Sequence, residues 1–255
     1  MPHAAATVPH ATTCQLKEGG VVRCRCSRKQ NRQLRHPPQT RVRPSTYSRC
    51  LAMHQRLLCA PSREAAVQQL RCPCNQVQGT GDCLFHSIAV GMAFADEHCH
   101  LDMYDTSLSG RVRSLRDLAV DTLTADPNRT LHLEGDQTID IHELVEAAAE
   151  QYDMTPEAYC SSMRKPGVWG GGPEILALAN ALQRPIHVFE PVAACNGTEF
   201  RLQLCGAFGS PKFDGCGKRV CIIAADDRFP HCKPTEVKRH GEGGNHFLAL
   251  LPATG

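Results

Sequence analysis

A chain of 255 residues holds one sizeable domain or two small ones, and with 42% apolar and 21% charged residues it has material for a hydrophobic core. No run approaches the roughly 18 uninterrupted apolar residues that a membrane helix needs, so the chain reads as soluble and no membrane partner is expected. The net charge of +2 conceals an asymmetry: residues 1–63 carry twelve Lys and Arg against the single acid Glu18, a balance of +11, which leaves −9 for residues 64–255.

From Met1 to Arg63 the composition is Arg, Pro, Thr, Ser, Gln and His, with too few large apolar side chains to offset the entropy of ordering. The expectation is a disordered basic leader over 1–63 and a linker over 64–74. Arg-rich, hydroxyl-bearing and nearly acid-free is also the composition of transit peptides. Two locations follow: the cytoplasm, or a chloroplast or mitochondrion if the leader is cleaved as a transit peptide. Tyr47 is the only aromatic before residue 63, so base stacking has no platform there and no nucleic-acid partner is expected. Fifteen cysteines are an odd number in a long chain without an apolar signal segment, which points to a reducing compartment. Cys24-x-Cys26 and Cys72-x-Cys74 have one intervening residue where structural zinc sites take two to four. They read as incidental thiols, His98-Cys99-His100 reads as an exposed loop, and no metal is expected.

The folded part runs from about residue 75 to 252. Gly79-Thr80-Gly81-Asp82 is a glycine-bearing turn, after which Cys83, Leu84, Phe85, Ile88, Ala89, Met92 and Ala93 recur with helical spacing. A second helix is predicted over Gly110–Leu123 and a third over Ile139–Tyr152. A fourth opens at Thr155-Pro156-Glu157, a cap followed by proline at the first helical position, and stops at Lys165-Pro166-Gly167. The fifth runs Pro173–Leu182. After Arg184-Pro185 the period changes, and residues 186–189, 200–204, 220–223 and 247–251 are β-prone runs between Gly, Pro, Asn and Asp clusters. Helices first and strands later predict an α+β fold with a small, mostly antiparallel sheet.

A cysteine at a helix N-terminus meets unpaired backbone N–H groups and the positive end of the helix dipole, which favour the thiolate. Cys83 is therefore a candidate nucleophile, expected to carry a lowered pKa. The loop before it, including Thr80 and Gly81, can aim several N–H groups at one point, as an oxyanion hole requires. Taken alone, such a cysteine is more often inert packing. A partner shifts the balance: Gly241-Glu-Gly-Gly-Asn-His246 delivers a histidine at the mouth of the final apolar strand. Cysteine early, histidine late, remote in sequence and adjacent in the fold is what a papain-like thiol hydrolase needs.

Four segments resemble the signatures of the ovarian tumour (OTU) cysteine proteases, in the family's order. They are Gly79-Thr-Gly-Asp-Cys-Leu-Phe-His-Ser87, Val168-Trp-Gly-Gly-Gly-Pro-Glu-Ile-Leu-Ala-Leu-Ala-Asn180, Arg184-Pro-Ile-His-Val188 and Gly244-Asn-His-Phe-Leu-Ala-Leu250. The plant and algal members similarly carry Gly209-Ser-Pro-Lys-Phe-Asp214. The resemblance implies a papain-like OTU fold over 75–252, with helices on a small sheet. It implies a deubiquitinase that needs no cofactor, cleaves after the C-terminal glycine of ubiquitin, and takes ubiquitin or polyubiquitin conjugates as a monomer. It makes Cys83 the nucleophile and His246 the general base. Many relatives place Asp three residues before the cysteine, where Thr80 stands, or Asp or Asn two residues after the histidine, where Leu248 stands. Asp82 and Asn245 are the polar residues left nearby for the third role. Trp169, Gly170 and Gly171 are candidates for the wall of a groove narrow enough for a Gly-Gly tail, with Trp169 the better candidate for a core anchor. His86 and His187 read as supporting and structural. Two rivals remain: an impaired OTU-fold module that binds ubiquitin without cutting it, and a thiol hydrolase for another modifier.

Overall fold

The structure is a computed structural model that describes residues 81–101, 105–194, 197, 199–216, 218–226, 228–236 and 246–251. The leader, the linker, both Cys-x-Cys pairs, Thr80 and Asn245 lie outside the described residues. Among the described residues, five α-helices, with one small hairpin between the second and third, precede a four-stranded sheet: α1 Cys83–Glu97, α2 Thr106–Thr124, β1 Thr130–His132, β2 Thr138–Asp140, α3 Ile141–Gln151, α4 Pro156–Met163, α5 Gly172–Ala181, β3 Ile186–Ala193, β4 Phe200–Phe208, β5 Val220–Ala225 and β6 His246–Ala249. This is the α+β architecture that the change of period predicts.

Helix α1 is apolar on more than one face, because Leu84, Phe85, Ile88, Ala89, Val90 and Ala93 are all buried. It is the central helix, in contact with β5, β6 and α2. Helix α2 begins four residues before the predicted start. The Asp105 side chain accepts from the Ser107 N–H at 2.8 Å, capping the helix and bringing Leu108 onto the buried face of Val112, Leu115 and Ala119. At α4 the Thr155 hydroxyl accepts from the Ala158 N–H at 3.2 Å, as the Thr-Pro-Glu signal predicts. The β1–β2 hairpin is not predicted, since three-residue strands leave no periodicity to read. Asn180 pins it: its side chain accepts from His132 N–H at 2.8 Å and donates to His132 O at 2.9 Å.

The sheet order is β4-β3-β5-β6, antiparallel at both outer pairings and parallel between β3 and β5. Strand β3 runs through Pro191 to Ala193, beyond the predicted end at Phe189. Proline is tolerated there because β5 pairs only with Ile186–Phe189, so Pro191 faces one neighbour, β4. Along β5 the residues alternate between two apolar clusters. Val220, Ile222 and Ala224 join the main core with the helices, while Ile223 and Ala225 join Phe229, Leu248 and Leu250 on the other face. At the far end of α1, Arg184 grips Asp96 with two bonds of 2.8 and 3.0 Å, and Lys218 adds a third at 3.1 Å.

Candidate active site

The first turn of α1 and the first residues of β6 meet. Cys83 is the first residue of α1 and is 1% exposed. Its sulfur lies within hydrogen-bonding reach of the backbone amides of Phe247, Leu84 and Cys83 itself. Phe247 is the second residue of β6, so the strand brings His246, the residue before it, to the Cys83 end of α1. His246 is 5% exposed and pairs in register with Ala225. The two residues separated by 163 positions in the chain are thus placed together by one helix–strand contact.

The expected lowering of the thiol pKa is reversed. Burial pushes Cys83 up to about 11, the amides of Phe247, Leu84 and Cys83 oppose that shift, and the neighbouring Asp82 charge adds to it. Desolvation wins because a helix N-terminus supplies only partial charges while burial removes most of the thiolate's hydration. The thiol is therefore neutral at pH 7, and its proton has to leave as the sulfur attacks.

Asp82, the N-cap residue of α1, does not cap the helix with its side chain. Its carboxylate takes two hydrogen bonds from Arg116, one of them 3.2 Å long, and one from the Gly167 N–H at 3.1 Å. Its carbonyl accepts from both the backbone N–H and the ring Nδ1–H of His86, each at 3.0 Å, which gives His86 the supporting place expected of it. Arg116 is 2% exposed and was not anticipated at all. Beyond Asp82 it donates to the carbonyls of Gly81 at 3.2 Å, Met163 at 2.8 Å and Val168 at 2.8 Å, and its guanidinium sits 4.3 Å from the centre of the Phe85 ring. The signal that could have found it is its position: Arg116 follows Leu115 on the apolar face of α2, unlike Arg111 and Arg113.

The loop ahead of α5 closes over the same corner. A Cβ on Gly81 would lie 1.9 Å from Gly167 O, and one on Gly170 would lie 2.9 Å from Leu84 and 3.1 Å from Phe85. Both glycines are there because backbone meets backbone or core with no room for a side chain. Trp169 is half-buried against the main core, the place of an anchor. Glu174, fully buried, holds the end of that loop: it accepts from the Gly171 N–H at 2.7 Å and from the Tyr159 hydroxyl at 2.6 Å. Burial drives its carboxyl pKa upward against the pull of those two bonds. Leu248, standing where some relatives have Asp or Asn, is 2% exposed in the smaller apolar cluster and has no polar group to offer. His187 is half-buried in β3, and His98 and His100 lie 6.2 and 5.0 Å from the Phe94 ring between centroids. Among the described residues no group of three or more His, Cys, Asp or Glu is placed to hold a metal.

A buried cysteine at a helix N-terminus with a histidine delivered by the neighbouring strand defines a cysteine protease of the papain-like kind. Residues 78–216, more than half of the chain, match the family model of the OTU-like cysteine proteases, and the chain belongs to that family. Solved structures with a similar course include the viral OTU domain protease of Dera Ghazi Khan virus, at 17% identity over 70% of this chain and 79% of that one, TM-score 0.41. The Hazara virus OTU bound to ubiquitin is 19% identical over 69% of this chain and 77% of that one, TM-score 0.38. An OTU deubiquitinase from Wolbachia pipientis wMel bound to ubiquitin is 17% identical over 69% of this chain and 93% of that one, TM-score 0.37. No curated protein matches the sequence.

Proposed function

We propose that the protein is a deubiquitinase: a thiol isopeptidase that cleaves after the C-terminal glycine of ubiquitin in conjugates or chains, acting as a monomer in the cytoplasm. The observation that carries the reading is the meeting of Cys83 with the His246–Phe247 end of β6, in a chain of the OTU-like cysteine protease family. Cys83 Sγ attacks the isopeptide carbonyl as His246 takes its proton, and the new carbon–sulfur bond leaves an oxyanion facing the backbone amides of the turn before α1 and of Cys83. The carbon–nitrogen bond then breaks, and the imidazolium returns its proton to the departing lysine amine. Water, deprotonated by His246, attacks the thioester, and the sulfur leaves with the proton. The −9 balance of residues 64–255 suits a substrate protein with a basic recognition face.

The test is a ubiquitin carrying an electrophile in place of its C-terminal carboxylate, together with turnover of a fluorogenic ubiquitin amide. The parent should label and turn over, Cys83→Ala should do neither while melting like the parent, and His246→Ala should lose most turnover. Labelling of the parent without turnover assigns the protein to the ubiquitin-binding rival. Reaction with another modifier but not with ubiquitin assigns it to the other.

A further inference from the structure

Arg116 spends its donors in an unusual way for a buried ion pair, and the pattern bears on where the oxyanion is held. Besides the carboxylate of Asp82 it binds three backbone carbonyls, from Gly81, Met163 and Val168, and stacks over Phe85, the third residue of α1. A guanidinium presents its N–H groups in a fixed planar fork, which an ammonium cannot do; here the two N–H groups of Nη2 serve Asp82, Val168 and, at 3.2 Å in a shared bond, Gly81. One of them belongs to the turn directly before the nucleophile. The Gly81 carbonyl and the Asp82 N–H are the two ends of one planar trans peptide and point to opposite sides of it. Arg116 lies on the buried side of that turn, at 2% exposure. With the carbonyl drawn inward, the Asp82 N–H is turned outward. The next peptide is fixed as well: the Asp82 carbonyl is taken by the N–H and ring of His86, which leaves the Cys83 N–H beside its own sulfur.

We infer that Arg116 is a positioning residue for the acyl-transfer step: by holding the Gly81 carbonyl it locks the Gly81–Asp82 peptide so that the Asp82 N–H joins the Cys83 N–H in binding the oxyanion. Without the guanidinium the Gly81 carbonyl loses this hold, and the peptide can tilt by rotation about Gly81 ψ and Asp82 φ, the latter −94° here, carrying the Asp82 N–H away from the developing negative charge. The Gly167 and Val168 contacts serve the same end, because the loop that Gly81 rests on is tied to Arg116 through the Val168 carbonyl and to the Asp82 carboxylate through the Gly167 N–H. The inference deepens the proposed thiol chemistry but does not depend on ubiquitin being the substrate.

The experiment compares Arg116→Lys and Arg116→Gln with the parent in the full chain, using two reagents that attack the same sulfur. The p-nitrophenyl ester of an N-acylated Gly-Gly dipeptide is attacked at its carbonyl, forms an oxyanion and expels p-nitrophenolate. Iodoacetamide is attacked at a saturated carbon, loses iodide and forms none. Loss of one oxyanion donor costs about 10²–10³ in rate, so acylation of Cys83 by the ester should fall roughly a hundredfold in both variants. Alkylation of Cys83, followed by mass spectrometry, should stay within about twofold, and KM for a ubiquitin amide should change less than its kcat. Equal loss in both reactions, or unchanged acylation, overturns the inference. So does failure of both variants to fold, which makes Arg116 a structural residue, and so does a parent that the ester does not acylate at Cys83. A parent that reacts with the ester and ignores ubiquitin removes the proposed substrate while leaving the Arg116 comparison intact.

Discussion

At the scale of single residues, the chemistry turns on two groups whose surroundings depart from simple expectation. A helix N-terminus favours thiolate, yet Cys83 is so fully enclosed that burial raises its pKa to about 11. The reactive fraction at pH 7 is then of order 10⁻⁴. Alkylation of Cys83 by iodoacetamide in the free protein should rise roughly tenfold per pH unit from pH 7 toward 10. A rate that is already flat below pH 8 would show a standing thiolate–imidazolium pair instead. The second group is Asp82, whose carboxylate is directed to Arg116 and the Gly167 amide. Asparagine keeps an acceptor for Arg116, so Asp82→Asn should lower kcat/KM by less than about tenfold, or roughly 1.4 kcal/mol of barrier. Asp82→Ala strips a buried guanidinium of its anion, and that should appear mainly as lost stability of about 3–5 kcal/mol in urea unfolding. A thousandfold loss of kcat/KM in Asp82→Asn with unchanged stability would make Asp82 the group that orients the base.

At the scale of elements, the site is built where the loop ahead of α5 lies against the first turn of α1. Gly170 rests on Leu84 and Phe85, two residues that are 0% exposed and therefore have nowhere to retreat. Gly170→Ala should destabilise by about 1–3 kcal/mol, the usual cost of overpacking. It should also depress turnover, because the side chains it pushes follow Cys83 directly. Thermal melts and kcat measured on the same preparation test both halves, and a variant with parental values in both would mean the loop moves aside freely. The same elements show what could be read before any fold was known. Five helices and four strands were legible because each has either a 3.6-residue stripe, as in α2, or a run of β-branched and aromatic residues between breakers, as in β5. The Thr155-Pro156 start of α4 was legible from capping chemistry. Cys83 and His246 stood out in the sequence because a glycine-rich stretch precedes each. The hairpin was not, since its two three-residue strands are held by Asn180 from a distant helix, and no local pattern records that. Arg116 was not, since a charged residue on an apolar stripe reads as a flaw in the stripe until its partners, 34 to 52 positions away, are seen around it.

At the scale of the whole molecule, the relevant division is electrostatic. Residues 1–63 carry +11 and residues 64–255 carry −9, so the chain attracts itself and the basic stretch competes for any acidic surface that a substrate with a basic face would use. Among the described residues, both apolar clusters draw on side chains between 83 and 251, and residues 1–63 are poor in large apolar side chains to add to them. Two consequences separate cleanly. Removal of residues 1–63 should leave the thermal midpoint within about 1 °C, below the roughly 2–4 °C that a loss of 1 kcal/mol produces in a domain of this size. Turnover of a ubiquitin substrate should respond to salt differently in the two forms. At low ionic strength the truncated protein should have the lower KM, because its acidic surface is no longer shared. At about 0.15 M salt, where charges are screened beyond roughly 8 Å, the two KM values should converge. A large fall in the midpoint on truncation would place part of residues 1–63 against the catalytic domain, and a KM difference that persists at high salt would show that the contact is not electrostatic.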